Sequence, residues 1–416
     1  MSKHLLVIED TKHVAQVIEH IGTSLGYRVT IAVSFAQVKE LLSKPHDFFL
    51  ASIDYSLPDA LDGEIIPYVL EHRIPSIVMT GRMDDKTRSK ILNLPVVDYI
   101  TKENAQAYHY LARILKYQLT NNRVGVLVVD DSLTARKQIC LLLKRRNFKV
   151  YDVADGTKAL AALAEFPDIK MVITDQEMPG MDGIELVQKI RKGRAKDELI
   201  VIGISGTNKS YQSARFIKNG ADDFLQKPFC PEEFYCRIMQ NIEKLQHIEE
   251  IQRAANTDYL TSLYNRRYFF EKAKTICKEI KKATQPNLLV MLDLDHFKNI
   301  NDSYGHDVGD HVLIELSKMF GQYFANDLVA RLGGEEFSII MAADDIELMT
   351  DQLNTFREAI ANMTINFSDF SFNFTLSMGA IVINSEQSLA QLMSLADQAL
   401  YQAKDTGRNK LVMHQG

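Results

Sequence analysis

One internal repeat constrains this chain more than any other feature: an apolar run ending in two acids occurs twice, 121 positions apart. Leu5-Leu6-Val7-Ile8-Glu9-Asp10 is the first copy and Val126-Leu127-Val128-Val129-Asp130-Asp131 the second. In both, 44 residues separate the second acid from a third, Asp54 or Asp175, which closes another apolar run. A further run ends in a hydroxyl, Thr80 or Ser205, and a lysine follows 22 residues later, Lys102 or Lys227. Segments of helical period, such as Thr157 to Glu165 and Gly183 to Lys192, lie between the runs. Apolar strands alternating with helices demand a parallel sheet covered on both faces, with functional groups at the carboxyl ends of its strands. All the polar residues just named fall at such ends. The spacing predicts two tandem doubly wound α/β domains, over 1–120 and 121–247.

The remainder has a different pattern. A helical period without Gly or Pro runs from about Glu232 to Ala255, with Phe234, Ile238, Leu245, Ile248 and Ile251 near coiled-coil spacing. It reads as a stalk over 232–257 that extends the last helix of the second copy. A mixed α/β domain is expected over 256–416. At 416 residues the chain is long enough for several cores. A formal net charge of −6 argues against a general nucleic-acid or anionic-membrane binder. No apolar run reaches the length of a membrane span, the N-terminus lacks the pattern of a signal peptide, and the four cysteines show no metal spacing, so a cytoplasmic setting with reduced thiols is expected.

Two acids, a third acid, a hydroxyl and a lysine at one sheet edge suit phosphoryl transfer: acids hold Mg²⁺, one carboxylate attacks phosphorus, and hydroxyl and ammonium meet the phosphoryl oxygens. Asp175-Gln176-Glu177-Met178-Pro179-Gly180-Met181-Asp182-Gly183 and Lys227-Pro228-Phe229 resemble the CheY-like (flavodoxin-type) receiver domain of two-component response regulators. The resemblance implies Asp175 as phosphoacceptor, Asp130, Asp131 and Glu177 as its Mg²⁺ set, and Ser205 and Lys227 as switch residues. For the first copy it implies Asp54 as phosphoacceptor, Glu9, Asp10 and Ser56 at the metal, and Thr80 and Lys102 as the switch, with one Mg²⁺ per receiver. The first copy departs twice: Lys102 is followed by Glu103 rather than proline, and one extra residue lies between Pro58 and Gly63.

In the C-terminal part, Asn287 to Leu292 is a strand-type run leading into Asp293-Leu294-Asp295-His296-Phe297-Lys298. Leu328 to Leu332 and Glu335 to Met341 flank Gly333-Gly334, a hairpin signal because tight turns need positive φ. Carboxylates from two strands facing a triphosphate suit a two-metal site. Gly333-Gly334-Glu335-Glu336-Phe337 resembles the signature of GGDEF-family diguanylate cyclases. Asp258 to Arg267, Phe297 to Asp302, Gly305 to Asp310 and Lys404 to Asn409 support it. With the two receivers, the whole chain resembles PleD-type response regulators, which condense two GTP to cyclic di-GMP and two pyrophosphates across a homodimer. The resemblance implies Asp293, Glu336 and the Leu294 carbonyl as metal ligands for two Mg²⁺, and Glu335 as metal ligand or activator of the ribose 3′-hydroxyl. It implies Asn301 and Asp310 on the guanine edge, and Phe297, Lys298, Lys404 and Arg408 at the β- and γ-phosphates. It further implies a sensor histidine kinase or phosphotransfer protein as phosphoryl donor.

Local roles compete with these. Asp310 is expected to open an amphipathic helix and complement its dipole, and Lys404 to sit in the last turn of a helix that Ser388 and Gln391 cap. The family's product-inhibition RxxD falls on Phe324-Ala325-Asn326-Asp327, so feedback through that site is expected to be weak or absent. Rival readings are a catalytically inactive GTP or cyclic di-GMP sensor, and a phosphorelay scaffold.

Overall fold

The computed structural model of the protein describes residues 2–81, 84–206, 211–279, 285–367, 370–384 and 387–414. Near the N-terminus, β1 (His4–Ile8), β2 (Arg28–Ala32), β3 (Phe48–Asp54), β4 (Ser76–Thr80) and β5 (Asp98–Thr101) form a parallel sheet in the order β2-β1-β3-β4-β5. Next, β6 (Gly125–Val129), β7 (Lys149–Val153), β8 (Ile169–Asp175), β9 (Ile200–Ser205) and β10 (Asp223–Gln226) repeat that order as β10-β9-β8-β6-β7, again all parallel. The apolar runs are continuous because both sheet faces are covered. Leu5 and Val7 enter one core while Leu6 and Ile8 enter the other; Val126 and Val128 oppose Leu127 and Val129 in the same manner.

The two modules lie in one compact unit, Met1–Gln246, and share a polar seam. Arg146, which follows the helix Leu133–Arg145 and is only 2% exposed, forms an ion pair with Asp98 at the start of β5. The Tyr110 hydroxyl donates to Asp98 (2.7 Å), and the Arg146 guanidinium lies 4.3 Å from the centroid of the Tyr235 ring. Close by, Glu232 accepts from the Tyr99 hydroxyl (2.9 Å) and pairs with Arg88 (2.6 Å).

Glu232 belongs to the helix Pro231–Asn256, which Pro231 opens without forfeiting a helical hydrogen bond. Phe234, Ile238, Ile242 and Leu245 bury into the core of the second module, whereas Ile251 is exposed. The expected stalk is thus a core helix over its first half and solvated over its second.

In the second unit, His247–Gly416, a mixed sheet runs in the order β11-β13-β14-β12-β17-β18. Its strands are β11 (Tyr264–Asn265), β12 (Asn287–Leu294), β13 (Leu328–Gly333), β14 (Glu336–Ala342), β17 (Leu376–Val382) and β18 (Leu411–Met413); β15 (Thr364–Phe367) and β16 (Phe370–Asn373) pair separately. Central β12 is antiparallel to both β14 and β17 and buried along its whole length. Two expectations need correction. Gly305 (φ 90°) ends the helix Phe297–Tyr304, and the next helix, His306–Tyr323, has Asp307 in its first turn; Asp310 sits one turn further in and does not open it. Glu335 lies in the turn, and β14 begins at Glu336.

Candidate functional site

Both N-terminal sheets bring the expected groups to their carboxyl edge. In the first module, Lys102 Nζ lies 2.6 Å from Glu9 and 2.8 Å from Asp54. One carboxylate oxygen from each of Glu9, Asp10 and Asp54 lies within 4.8 Å of the others. Burial pushes the Glu9 carboxyl up; Lys102 pulls it back and Asp54 pushes it up again. Glu9 Oε1 is buried with no hydrogen-bond partner among the described residues. Three acids against one lysine, with an orphaned carboxylate oxygen, fit a divalent cation.

In the second module Lys227 bridges Asp130 (2.8 Å) and Asp175 (2.6 Å). Burial raises the Asp175 carboxyl above its usual range, with Lys227 lowering and Asp130 raising it. Asp131 is exposed beside this pair. The backbone N–H of Glu177 donates to Asp175 (2.9 Å), and that of Ser56 reaches Asp54 at 3.4 Å. Thr80 and Ser205 are buried at the ends of β4 and β9.

The departures of the first module have local explanations. Lys227–Pro228 is a cis peptide bond, and Lys102 lacks the proline, yet both lysines are held alike. Lys102 N–H donates to the Thr80 carbonyl (2.7 Å), as Lys227 N–H does to that of Ser205 (2.8 Å). The longer loop places Asp59 over the start of the helix Phe35–Leu42, where its carboxylate accepts from the N–H groups of Phe35 and Ala36 (both 2.9 Å).

In the third sheet, Asp293, the last residue but one of β12, lies directly opposite Glu336 at the start of β14. Gly333 (φ 152°) and Gly334 (φ 53°) adopt backbone angles that side chains resist, and Gly333 pairs with Glu336 across the tight turn. Burial raises the Asp293 carboxyl; Lys404 lowers it, and Glu335 and Glu336 raise it further. Lys404 Nζ lies 2.8 Å from Asp293, delivered from the last turn of the helix Leu389–Asp405, whose Ser388–Gln391 capping box is present. Asp293, Glu335 and Glu336 offer the hard oxygen donors that divalent cations take, opposed by one lysine, although their carboxylates are not drawn together as closely as those of Glu9, Asp10 and Asp54. Leu294, which follows Asp293, pairs with Leu376 of β17.

Phe297 is buried at the start of its helix, while Lys298, Asp310 and Arg408 are exposed and Asn301 is half-buried. A Cβ built on Gly309 would stand 1.9 Å from Asn301 Oδ1, so the bare backbone at 309 seats that amide. Phe324, at the position expected to weaken feedback, is 2% exposed and packs edge-on against Phe356 with 5.0 Å between ring centroids. Asp327 is half-buried, and burial raises its carboxyl while a hydrogen bond from the Ala342 backbone lowers it.

Three supporting residues were not anticipated. Arg331 donates to the Gly334 carbonyl (2.8 Å) and to Asp258 (2.9 Å), fixing the hairpin tip to the domain's first turn. Buried Asp295 accepts from the hydroxyls of Thr375 and Ser377 (both 2.7 Å). Gly309 is the third. Asp295 and Gly309 stand inside stretches already singled out, Asp293 to Lys298 and Gly305 to Asp310, whereas the only signal for Arg331 is its place two residues before the glycine pair.

Residues 255–410 match the family described as diguanylate cyclase, GGDEF domain, and residues 126–239 the response regulator receiver domain. The response regulator PleD of Caulobacter vibrioides is 24% identical, over 99% of both chains. The diguanylate cyclase DgcM of Escherichia coli (strain K12) is 30% identical over 50% of this chain and 52% of its own length. A solved two-component system response regulator/GGDEF domain protein superposes with a TM-score of 0.54 at 32% identity, covering 59% of this chain and all of that one. Among the described residues no helix is long and apolar enough to cross a membrane. With the repeated acid-and-lysine edges and the glycine-turn carboxylate site, these likenesses lead to one conclusion: the chain belongs to the PleD-type response regulators, which carry a GGDEF diguanylate cyclase domain.

Proposed function

We propose that this protein condenses two GTP into cyclic di-GMP and that aspartyl phosphorylation controls the reaction. The observation that carries the reading is the opposition of Asp293 and Glu336 beside the Gly333–Gly334 turn, with Lys404 closing on Asp293.

Each condensation joins the ribose 3′-oxygen of one GTP to the α-phosphorus of the other. The bond from that phosphorus to the β-phosphate bridging oxygen breaks, and pyrophosphate leaves with the electron pair. Asp293, Glu336 and the Leu294 carbonyl are the groups to hold two Mg²⁺, whose charge offsets that of the triphosphate. Glu335, placed in the turn, accepts the 3′-hydroxyl proton or assists at the metal. Lys404, Arg408 and Lys298, with Phe297 beneath them, grip the terminal phosphates. Asn301 and Asp310 read the guanine edge; a carboxylate suits its N1–H and exocyclic amine. The glycine pair admits phosphate close to bare backbone.

One such domain holds one GTP, so two copies must face each other in a homodimer. Asp175, and Asp54 with it, accepts a phosphoryl group from a histidine kinase or phosphotransfer protein, each receiver holding one Mg²⁺. Acceptor phosphorylation changes receiver packing and so the alignment of the cyclase domains. The domains divide as 1–120, 121–247 and 256–416, with a helical stalk over 232–257 whose first half doubles as the last core helix of the second domain, in a protein working in the cytoplasm.

Chromatography of purified protein incubated with GTP and Mg²⁺, with and without beryllofluoride, tests the reading. Cyclic di-GMP that increases with the phosphate mimic, and no longer does so in Asp175→Asn, is the expected result. GTP binding without product in either condition would overturn it in favour of a sensor.

A further inference from the structure

The loop after the helix Leu389–Asp405 carries three successive residues with positive φ: Gly407 (114°), Arg408 (59°) and Asn409 (45°). For the two residues that bear a Cβ this conformation is costly and persists only where the surroundings enforce it. The enforcement centres on Asn409. Its N–H donates to Asp295 Oδ2 (3.1 Å). Its carbonyl and its side-chain Oδ1 both accept from Arg357 Nη1, at 3.2 and 3.0 Å.

These two anchors come from elements remote in sequence. Arg357 lies on the helix Ile346–Asn362 and is held in turn by Glu358 at 3.0 Å. Asp295 lies two residues beyond Asp293, is 5% exposed, and has both oxygens occupied by the hydroxyls of Thr375 and Ser377 together with the Asn409 amide. With its oxygens so engaged, Asp295 serves the loop. The clamp therefore references the loop to the strand end that bears Asp293. Directly before the clamped Asn409 the loop displays exposed Arg408, four residues beyond Lys404, whose Nζ lies 2.8 Å from Asp293.

We propose that Asp295, Asn409 and Arg357 are positioning residues that hold the Lys404–Arg408 segment as a rigid grip for the terminal phosphates of a nucleoside triphosphate. The proposal rests on the GTP reading given above. None of the three touches the nucleotide; they act by fixing where two cations stand, so their effect follows the number of phosphates rather than the base. A clamp that merely secured β18 to the sheet edge would weaken every ligand of the domain equally.

The test uses the full-length protein with Mg²⁺ and compares affinity for guanosine 5′-[α,β-methylene]triphosphate, which cannot be condensed, with affinity for GMP. Arg357→Ala is expected to lower triphosphate affinity on the order of tenfold while GMP affinity holds. Arg357→Lys should recover part of the loss. Asn409→Gly, which tolerates positive φ and keeps both backbone contacts, should lose less than Arg357→Ala. An unchanged ratio of triphosphate to GMP affinity in a folded variant overturns the proposal, and so does an equal loss for both ligands. Should circular dichroism show Arg357→Ala unfolded, Asn409→Gly decides by the same criterion. A wild-type protein that does not prefer the triphosphate overturns the GTP reading itself, before any variant is compared.

Discussion

Lys404 Nζ lies 2.8 Å from Asp293 Oδ1, so the end of one helix closes on the end of the central strand. A triphosphate that enters with its cations must draw this lysine from the carboxylate onto phosphate oxygens. Asp293→Asn should therefore lower the rate of cyclic di-GMP formation by about 10²–10³-fold, while Lys404→Ala should act mainly on the KM for GTP. Steady-state kinetics on folded variants separates the two; equal effects on kcat would contradict the assigned roles.

Gly309→Ala is a sharper probe than its size suggests. The added methyl would stand 1.9 Å from Asn301 Oδ1 and 3.2 Å from the Phe297 ring, so the amide must move. On the proposed contact of Asn301 with guanine, the KM for GTP should rise roughly tenfold, with less effect on thermal stability. Asn301→Ala should show the same KM, and the double variant should add little.

Replacing Phe324 by arginine rebuilds the RxxD pattern in sequence but not in structure. The phenyl ring is part of an aromatic core with Phe320 and Phe356, and an arginine there forfeits that packing and must draw its charge out of water or displace the rings. Phe324→Arg should destabilise the second unit by on the order of 3–5 kcal/mol without introducing product inhibition. Urea unfolding and rates measured with added cyclic di-GMP check both halves.

Asp98→Asn leaves the Arg146 guanidinium buried without its counter-charge. A loss of about 3–5 kcal/mol is expected, and a paired apolar replacement, Asp98→Leu with Arg146→Met, should restore much of it. Thermal unfolding of the single and double variants measures the coupling.

The seam also titrates at Glu232. Burial raises its carboxyl, but the backbone amide at the helix start, the Tyr99 hydroxyl and the Arg88 guanidinium outweigh burial and hold it below the usual range. A carboxyl depressed on folding stabilises above its unfolded pKa, and that contribution disappears as pH falls through the folded value. Between about pH 6 and about pH 3 the urea midpoint should fall less for Glu232→Gln than for the wild type.

Features written in local chemistry were legible in the sequence. Runs such as Leu5–Ile8 and Val126–Val129 announce buried parallel strands, and the acids that follow them locate the carboxyl edge where acids and lysine meet. Two glycines fix the hairpin, and Ser388 with Gln391 fixes a helix start. Arg146 gave no sign of its role, because its partner Asp98 lies 48 residues away in another module and nothing periodic connects them. The Asn409 clamp is hidden for the same reason: Asp295 and Arg357 are 114 and 52 residues distant. Asp310 was misplaced in its helix because the boundary depends on the backbone of Gly305, which composition does not reveal.

The ion pair of Arg146 with Asp98 also has a consequence for unfolding. Each charge is sheltered from water by the opposite module, so a chain cut back to one module would turn its half of the seam, Arg146 or Asp98 included, out to solvent. The two modules are therefore expected to unfold as a single cooperative block rather than one after the other.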